Sequence, residues 1–397
     1  MNFVFISPNF PRLYSHFVRA LKMKGFNVIG IGDEPYNVLV NELKENLTEY
    51  CFVNDMNRLD WMKSTLDYIR NKYGHIDYLE SNNEFWLEND ALLREYLGID
   101  TGTLPFEMEK IKFKSKMKEY FQKAGVKTAR YHMVSSLEES EKFVEEVGYP
   151  VFCKPDNGVG AVATYRINNH DELVRFHNTH PNVQYIMEQF LDGYITSFDG
   201  ICDSQSNVVV AFHETFPKPI AEVVNEDSDV YYYAEADMSD KFRQMGERVV
   251  KSFGIRKRCF HIEFFVLNRA HKGLGRKGEI IALEVNMRSP GGNTPDLLAT
   301  ALDAPYYDIY ADVILNDKTD VDLNRKHYIA IAVARKDHFH YVHTPQEILD
   351  KYGDRIREHD FYPPGIADAM GKEFFFGRFL NLEEALEFQK FIQEKVQ

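Results

Sequence analysis

Short apolar runs alternate with amphipathic stretches over the first hundred residues of the chain. Asn2–Ser7 and Asn27–Gly30 are apolar runs, and between them apolar residues recur at helical spacing. A strand, a helix and a second strand in this order predict a βαβ unit with parallel strands. Two more candidate strands, Glu49–Val53 and Ile76–Leu79, flank a helical stretch, Asn57–Tyr73. The pattern therefore predicts a small doubly wound α/β domain at the start of the chain.

The pattern changes in the middle of the chain. A lysine-rich stretch, Phe106–Ala124, is predicted to form one helix. Beyond it, strand candidates joined by short polar turns predict antiparallel pairs, so this region is α+β in character. A further strand, Tyr328–Ala334, and a final amphipathic helix, Leu382–Glu394, are predicted near the end. The middle strand candidates are Pro150–Lys154, Ala163–Ile167, Gln184–Gln189, Phe198–His213, Phe260–Asn268 and Glu279–Met287.

The length and composition agree with several globular domains. The chain has 397 residues, of which 44% are hydrophobic and 27% charged. Domains of ordinary size would number two or three in such a chain. We predict three segments, 1–103, 104–320 and 321–397.

Charge and cysteine content narrow the possible partners. The formal net charge is −14, which argues against general nucleic-acid binding because phosphate contacts need clustered basic residues. The sequence has four cysteines and no CxxC pair, which indicates that the cysteines are reduced thiols. No apolar run approaches the length of a membrane span, and the first residues do not resemble a secretory signal. We expect a cytoplasmic protein that acts on small molecules, with no nucleic-acid or membrane partner.

Polar residues occupy one face of a predicted β-hairpin near residues 260–288. Alternation along the two strands places Glu263 with His261 on one strand and Glu284, Asn286 and Arg288 on the other, all on a shared face. Side chains that face each other across such a pair lie about 5 Å apart. Two carboxylates and an amide oxygen suit Mg²⁺, and the like charges favour a cation between them. The alternative is a half-exposed hairpin whose polar face is merely solvated.

Two further stretches of the sequence have residues that could contact the phosphates and the adenine base of a nucleotide. Lys154 ends an apolar strand and precedes a loop that contains Gly158 and Gly160, whose backbone N–H groups could surround phosphates. The alternative is that Lys154 extends from the edge of the strand to solvent and binds no phosphate. The strand Tyr185–Leu191 could offer backbone groups to an adenine edge, or could simply run into a turn.

Together these motifs resemble the ATP-grasp superfamily over about residues 1–310. The resemblance implies a pre-ATP-grasp parallel α/β domain followed by a two-subdomain ATP-grasp fold that clamps ATP. Its first lysine matches Lys114, ahead of Ala124-Gly125-Val126, and its second matches Lys154. Its phosphate flap matches Gly158, Gly160 and Ala161, and its adenine hinge matches Glu188, Gln189 and Leu191.

The same resemblance implies a metal site and a phosphoryl-stabilising residue. Glu263, Glu284 and Asn286 match the metal ligands, and Arg288 matches the residue that stabilises the transferred phosphoryl group. The implied cofactors are ATP and Mg²⁺, with one or two ions, for which Mn²⁺ could substitute. The implied catalytic residues are Arg288 and Lys154.

The chain departs from the family pattern in three places. Tyr194-Ile195 stand where the family often carries an acidic residue for the ribose. Ala161 and Ala163 replace the more usual Ser and Gly of the flap. The turn Arg269–Gly278 is longer and more basic than usual, so it is either a solvated tip or a contact for an anionic substrate or partner.

The resemblance implies an ATP-dependent ligase that joins a carboxylate to an amine through an acyl phosphate and releases ADP and phosphate. The segment that contains Arg288, Gly291 and Gly292 resembles amino-acid ligases, which favours an amino acid or small organic acid as the carboxylate. The alternatives are a bicarbonate-activating enzyme of the carboxylase or carbamoyl-phosphate-synthase type and a non-catalytic ATP-binding module. The family also suggests a homodimer.

Three histidines near the end of the chain resemble a metal motif. On a strand, His338 and His340 would share one face and His343 would lie on the other. No carboxylate motif accompanies them, so we interpret them as surface or lid residues.

Overall fold

The apolar runs of the first eighty residues form a four-stranded parallel sheet, as the βαβ pattern predicts. The computed structural model describes residues 1–157, 163–218, 223, 226–362 and 364–396. The strands are β1 (Asn2–Ile6), β2 (Asn27–Gly32), β3 (Glu49–Phe52) and β4 (Tyr78–Glu80), in the order β3-β2-β1-β4. The helices are α1 (Tyr14–Met23), α2 (Asn41–Asn46), α3 (Leu59–Tyr73) and α4 (Leu87–Leu97), with a 3₁₀ turn at Tyr36–Val38.

The predicted single helix over Phe106–Ala124 is wrong. A 3₁₀ turn, Pro105–Glu107, and a short helix, α5 (Glu109–Lys112), precede a second helix, α6 (Lys114–Lys123). The chain is extended at Phe113, with φ −96° and ψ 118°, because this residue forms an isolated bridge to Asn157. The break makes Lys114 the first residue of α6.

A second sheet of four antiparallel strands carries Lys154. Its order is β5-β8-β6-β7, and one face is covered by two helices whose apolar residues pack with it in a single cluster. The elements are β5 (Tyr131–Met133), α7 (Leu137–Val147), β6 (Val151–Pro155), β7 (Tyr165–Ile167), α8 (His170–Thr179) and β8 (Tyr185–Gln189).

The largest sheet has eight antiparallel strands and contains the predicted hairpin. The strands at the end of the chain continue this sheet, so the predicted segment 321–397 shares it with 104–320, and the boundary at 320 stays a prediction. Its strands are β9 (Gly193–Cys202), β10 (Val208–Phe216), β11 (Tyr231–Glu235), β12 (Arg258–Leu267), β13 (Ile280–Asn286), β14 (Ile329–Arg335), β15 (Ile356–Phe361) and β16 (Glu373–Phe379), in the order β13-β12-β9-β10-β11-β14-β16-β15. The helices around it are α9 (Asp240–Phe253), α10 (Thr294–Leu302), α11 (Tyr306–Asn316), α12 (Pro345–Tyr352), α13 (Pro364–Met370) and α14 (Leu382–Ile392).

Aromatic packing joins the parallel domain to the large sheet. The ring of Phe17 on α1 lies 4.7 Å from that of Tyr307 and 4.9 Å from that of Tyr310, both on α11. The Tyr78 hydroxyl also donates to the Ile314 carbonyl at 3.0 Å. These contacts pack α1 and the start of β4 against α11.

Two sequence-level expectations can be compared with this architecture. All four cysteines are free thiols, as predicted. Within the described ranges, no helix has the length and apolar character needed to cross a bilayer.

Candidate functional site

The predicted hairpin forms with the predicted shared face. On β12 and β13, Glu263 lies directly opposite Glu284, and His261 lies opposite Asn286. A bulge between Glu263 and Phe264 shifts the register only after these pairs. The alternation of apolar and polar residues therefore located the two carboxylates and the amide correctly.

The donor set of this face fits a hard divalent cation. Burial raises the pKa of Glu284, and the neighbouring Glu263 charge raises it further, against the opposing effect of Lys114. The Nζ atom of Lys114 lies 3.8 Å from Glu284 Oε1. Carboxylate and amide oxygens are the ligands that Mg²⁺ prefers, and a cation would relieve the repulsion between Glu263 and Glu284. These three residues are the ones that would hold it.

Asp156 brings the two predicted lysines to the same site. Its carbonyl accepts from the Lys114 backbone N–H at 3.0 Å, and its carboxylate accepts from the Ser115 N–H and hydroxyl, each at 2.7 Å. These bonds satisfy free N–H groups of the first turn of α6. Since Asp156 follows β6 by one residue, the start of α6 is fixed beside Lys154.

Glu188 faces these lysines with its side chain. Its carboxylate pairs with Lys154 Nζ at 2.5 Å and also with Lys118 Nζ. Burial opposes its ionisation, but the two ammonium groups hold the pKa of Glu188 at about 2. Burial likewise opposes the charged form of Lys154, yet Glu188 raises its pKa, with Glu284 and Glu263 contributing further. Glu188 and Lys154 therefore stay charged beside the candidate metal ligands, whereas burial lowers the pKa of Lys118 against the opposing effect of Glu188.

The long basic turn packs against the predicted adenine hinge. Within the turn, His271 Nε2 accepts from the Asp192 N–H at 3.2 Å, and Leu274 shares an apolar cluster with Leu191. On the other side of the hinge, the Gln189 N–H donates to the Arg130 carbonyl at 2.9 Å. The prediction left open a solvated tip or an anion contact, and the described contacts make this turn a support for the segment after β8.

Arg288 contacts a residue from the parallel domain. Its guanidinium donates to Glu84 Oε2 at 2.8 Å and to the Ser289 carbonyl at 2.8 Å. Glu84 follows β4, so this pair brings the parallel domain to the end of the hairpin. The Gly291 backbone would leave a methyl group in open space, and Gly292 has a φ of +58°, which favours glycine.

Some predicted residues lie outside the described part of the chain. Gly158, Gly160 and Ala161, the predicted flap residues, fall in the range 158–162. Their role stays a prediction.

The histidines near the end of the chain pair with separate carboxylates. His338 Nε2 lies 2.8 Å from Asp227, and His343 Nε2 lies 3.0 Å from Glu394. His343 also stacks on Phe391, with ring centroids 3.5 Å apart.

Several site residues were missed by the sequence analysis. Lys118 lies four residues after Lys114 on the same face of α6, a spacing that could have identified it. Glu84 and Asp199 carry no such local signal, because each reaches the site from an element distant in sequence. Their placement required the three-dimensional structure.

The fold and the motifs together define the class of protein. Residues 109–289 match the family model described as "Carbamoyl-phosphate synthase L chain, ATP binding domain". This segment contains both predicted lysines, the hinge, the three metal-ligand candidates and Arg288. The resemblance to the ATP-grasp superfamily is thereby confirmed, and the architecture is the ATP-grasp fold.

Individual similar proteins agree with this class. The L-amino acid ligase of Bacillus licheniformis superposes with a TM-score of 0.70 at 15% identity, over 98% of this chain and 96% of that one. The biotin carboxylase domain of the Hydrogenobacter thermophilus 2-oxoglutarate carboxylase, solved as a dimer with MgADP, ADP and bicarbonate, has a TM-score of 0.68 at 17% identity, over 97% and 88%. The carbamoyl phosphate synthase large chain of Vibrio cholerae is 24% identical over 222 residues, which are 54% of this chain and only 19% of that relative.

Proposed function

We propose that this protein is an ATP-dependent carboxylate–amine ligase that forms an acyl phosphate and releases ADP and phosphate. The observation that carries the proposal is the convergence of three groups at one end of the hairpin. These groups are the facing carboxylates Glu263 and Glu284, the lysines around Glu188, and the Arg288–Glu84 pair. Together these groups neutralise phosphate charge, bind a cation and bind a carboxylate substrate in one place.

The nucleotide half of the site is assigned to the two lysines and the hinge. Lys114 and Lys154 neutralise phosphate oxygens, and the backbone at Gln189 and Leu191 faces the base. Support comes from Glu188, which holds Lys154 in its charged form, and from the bonds that fix Lys114 at the start of α6. A fixed positive charge stabilises a phosphoryl group without reorganisation during transfer.

The cation is assigned to Glu263, Glu284 and Asn286. When bound, Mg²⁺ would neutralise charge that develops on the β- and γ-phosphates. Arg288 is assigned the role of stabilising the phosphoryl group as it moves. Support comes from its guanidinium, which lies at the same end of the hairpin and offers a planar set of donors.

The reaction needs no side-chain nucleophile. A carboxylate oxygen of the substrate attacks the γ-phosphorus, and the bond from that phosphorus to the ADP oxygen breaks with ADP as leaving group. The lone pair of a neutral amine then attacks the acyl carbon. The carbon–oxygen bond to phosphate breaks, phosphate leaves with that electron pair, and the amine releases a proton. Closure of the site must exclude water, since an exposed acyl phosphate hydrolyses.

An amino acid is the proposed carboxylate substrate. Arg288 and Glu84 form an ion pair at 2.8 Å whose side chains are 16% and 22% exposed, so a solvent-side zwitterion could engage both charges. Gly291 and Gly292 would allow close approach of the substrate to the backbone. The similarity of the whole chain to an L-amino acid ligase is consistent with this choice.

A bicarbonate-activating reaction is the second candidate. The sequence match to a carbamoyl phosphate synthase and the likeness to a biotin carboxylase domain solved with bicarbonate favour it. ATP turnover that requires bicarbonate and no organic acid would select this candidate. We also propose a homodimer, which sedimentation at several concentrations would test.

The decisive experiment measures release of ADP and phosphate from ATP with Mg²⁺ across pooled amino acids, with and without bicarbonate. We expect one amino-acid pool to stimulate release in the wild type and not in Glu284→Ala. Glu279→Ala is the matched control, because Glu279 lies in the same hairpin region and pairs with Lys127 at the surface. Release of AMP and pyrophosphate would contradict the acyl-phosphate chemistry. If no amino-acid pool stimulates release of ADP and phosphate, the proposed substrate class is contradicted.

A further inference from the structure

A chain of buried polar side chains leads from Glu263 into the interior of the large sheet. His261 Nε2 lies 3.0 Å from Glu263 Oε1, and His261 Nδ1 lies 2.5 Å from Asp199 Oδ1. The other Asp199 oxygen accepts from the Ser197 hydroxyl at 2.5 Å. Asp199 and Ser197 are fully buried on β9, where they lie opposite His261 and Glu263 respectively. The arrangement is therefore fixed by the pairing of two central strands.

The geometry determines what the imidazole ring does. Both ring nitrogens face carboxylate oxygens, which can only accept when ionised, so the ring donates in both directions. Asp199 holds one side of the ring and cannot turn to solvent, because it is fully buried. The ring is thereby locked, and the bond to Oε1 fixes the orientation of the Glu263 carboxylate.

We propose that His261, held by Asp199, is a positioning residue that orients Glu263 for the divalent cation. This inference rests on the cation site of the proposed function and deepens it. A carboxylate ligand that is oriented in advance binds a metal more tightly, and loss of such supporting partners typically weakens metal affinity by about 10- to 100-fold. Loss of His261 should therefore lower the affinity for the metal ion and leave the affinity for the nucleotide alone unchanged.

The same region admits one rival interpretation. Possible ligand atoms of Asp199, Glu214 and His261 lie within 4.8 Å of one another, and Glu214 Oε1 has no hydrogen-bond partner among the described residues. The rival interpretation is that a second cation occupies this cluster. However, both nitrogens of His261 are already engaged by Asp199 and Glu263, which leaves no ring lone pair for a metal. The contacts therefore favour a positioning role for His261 over a second cation site.

The test measures Mn²⁺ affinity directly, by electron paramagnetic resonance titration of the full chain in the presence of saturating ADP. We expect His261→Ala to raise the Mn²⁺ dissociation constant by about 10- to 100-fold and Asp199→Asn to shift it in the same direction. Each variant should bind ADP with wild-type affinity in EDTA, which shows that it is folded. In His261→Gln, an amide donor should restore part of the Mn²⁺ affinity that the alanine variant loses.

His213→Gln is the matched control. His213 also pairs with a carboxylate, Glu235 at 3.1 Å, and it lies on β10, the strand next to β9, with its ring packed against Phe242. It has no contact with Glu263 among the described residues, so its removal should leave Mn²⁺ affinity unchanged.

Two results would overturn the inference. One is unchanged Mn²⁺ affinity in His261→Ala while that variant still binds ADP in EDTA. The other is a second, nucleotide-independent Mn²⁺ equivalent that Asp199→Asn and Glu214→Gln both abolish, which would establish a cation site in place of positioning. Neither readout depends on turnover. Failure of the ligase proposal would appear instead as normal Mn²⁺ and ADP binding without stimulation by any amine or acid.

Discussion

Two buried clusters of opposite charges lie within the same molecule, and they differ in what surrounds them. The first, which we call the clasp, consists of Glu80, Asp90, Arg94 and Arg258 and joins the parallel domain to the large sheet. The second, which we call the phosphate cluster, consists of Lys118, Lys154 and Glu188 beside Lys114 and Glu284. Both contain charges that are costly to bury without partners.

The clasp is bonded mainly to groups of the protein itself, although Asp90 Oδ1 and Arg258 Nε have no hydrogen-bond partner among the described residues. Arg94 donates to the Leu79 and Thr103 carbonyls, each at 2.9 Å, and Arg258 donates to the Met287 carbonyl at 3.1 Å. All four charged side chains of the clasp are fully or almost fully buried. Its two arginines are engaged by Glu80 and by backbone carbonyls, so the clasp has the character of a structural joint between the parallel domain and the large sheet.

The phosphate cluster lies beside carboxylates that repel each other. Glu284 faces Glu263 across the hairpin, and Lys114, whose Nζ lies 3.8 Å from Glu284 Oε1, and Lys154 offset its charge. The side chain of Glu284 is 21% exposed and that of Lys154 is 16% exposed. Burial of charged side chains alone therefore does not identify a functional site. A better indication is a pair of partly exposed carboxylates that face each other across a hairpin.

The largest expected effect comes from removing a charge of the phosphate cluster. Lys154→Met should lower kcat/KM for ATP by about 10³-fold, because it removes a fixed positive charge from the phosphates. Steady-state kinetics with the stimulating amino-acid pool would measure this. Thermal unfolding serves as the control and should change little, since Glu188 keeps Lys118 as a partner. A large loss of stability with near-normal kinetics would make this cluster resemble the clasp.

The corresponding change in the clasp should affect stability instead. Glu80→Gln leaves Arg94 and Arg258 without their shared carboxylate and should lower the free energy of unfolding by about 3 kcal/mol. Denaturant unfolding would measure it. The folded fraction should retain kcat within about twofold, because no clasp residue is assigned to substrate. A selective loss of kcat without destabilisation would remove the distinction between the two clusters.

The sequence predicted the hairpin and the pairing of its polar residues far better than it predicted the supporting contacts. Alternation on β12 and β13 was sufficient to pair Glu263 with Glu284, because a hairpin is local. The break at Phe113 was missed because its cause is a bridge to Asn157, far along the chain. Likewise, nothing local predicts that β9 inserts beside β12 and brings Asp199 to His261. Pairings between distant strands are decided by the whole fold.

A smaller effect concerns the pH dependence of the clasp. Burial raises the pKa of Asp90 to about 7, with the Glu80 charge adding to the shift against Arg94, Ser81 and Arg258. The folded state then binds a proton that the unfolded state releases, so stability should fall as pH rises from about 4 to 7. Between pH 5 and pH 8 we expect a wild-type loss of about 3 kcal/mol that Asp90→Asn lacks.

The measurement is denaturant unfolding of both proteins at these two pH values. The pKa of Glu80 is lowered despite its burial, by Arg258 and Arg94, so Glu80 does not titrate in this window. Parallel pH profiles for the two proteins would show that Asp90 is ionised throughout and that the clasp is a fully charged quartet.

The smallest expected effect tests the second cation of the phosphate cluster. Lys118 is buried, pairs with Glu188 and lies with its Nζ 5.3 Å from the centre of the Tyr131 ring. In Lys118→Met, Lys154 is the one ion-pair partner that Glu188 keeps among the described residues, and its ammonium is then drawn more strongly to the carboxylate and away from phosphate. Loss of a hydrogen bond to a charged group is worth about 1.5 kcal/mol, so ADP affinity should fall about tenfold by calorimetry. Lys116→Met on the same helix is the control, because Lys116 is exposed and pairs with Glu119 at 2.9 Å. Equal ADP affinities in the two variants would show that Lys118 has a structural role only, like the arginines of the clasp.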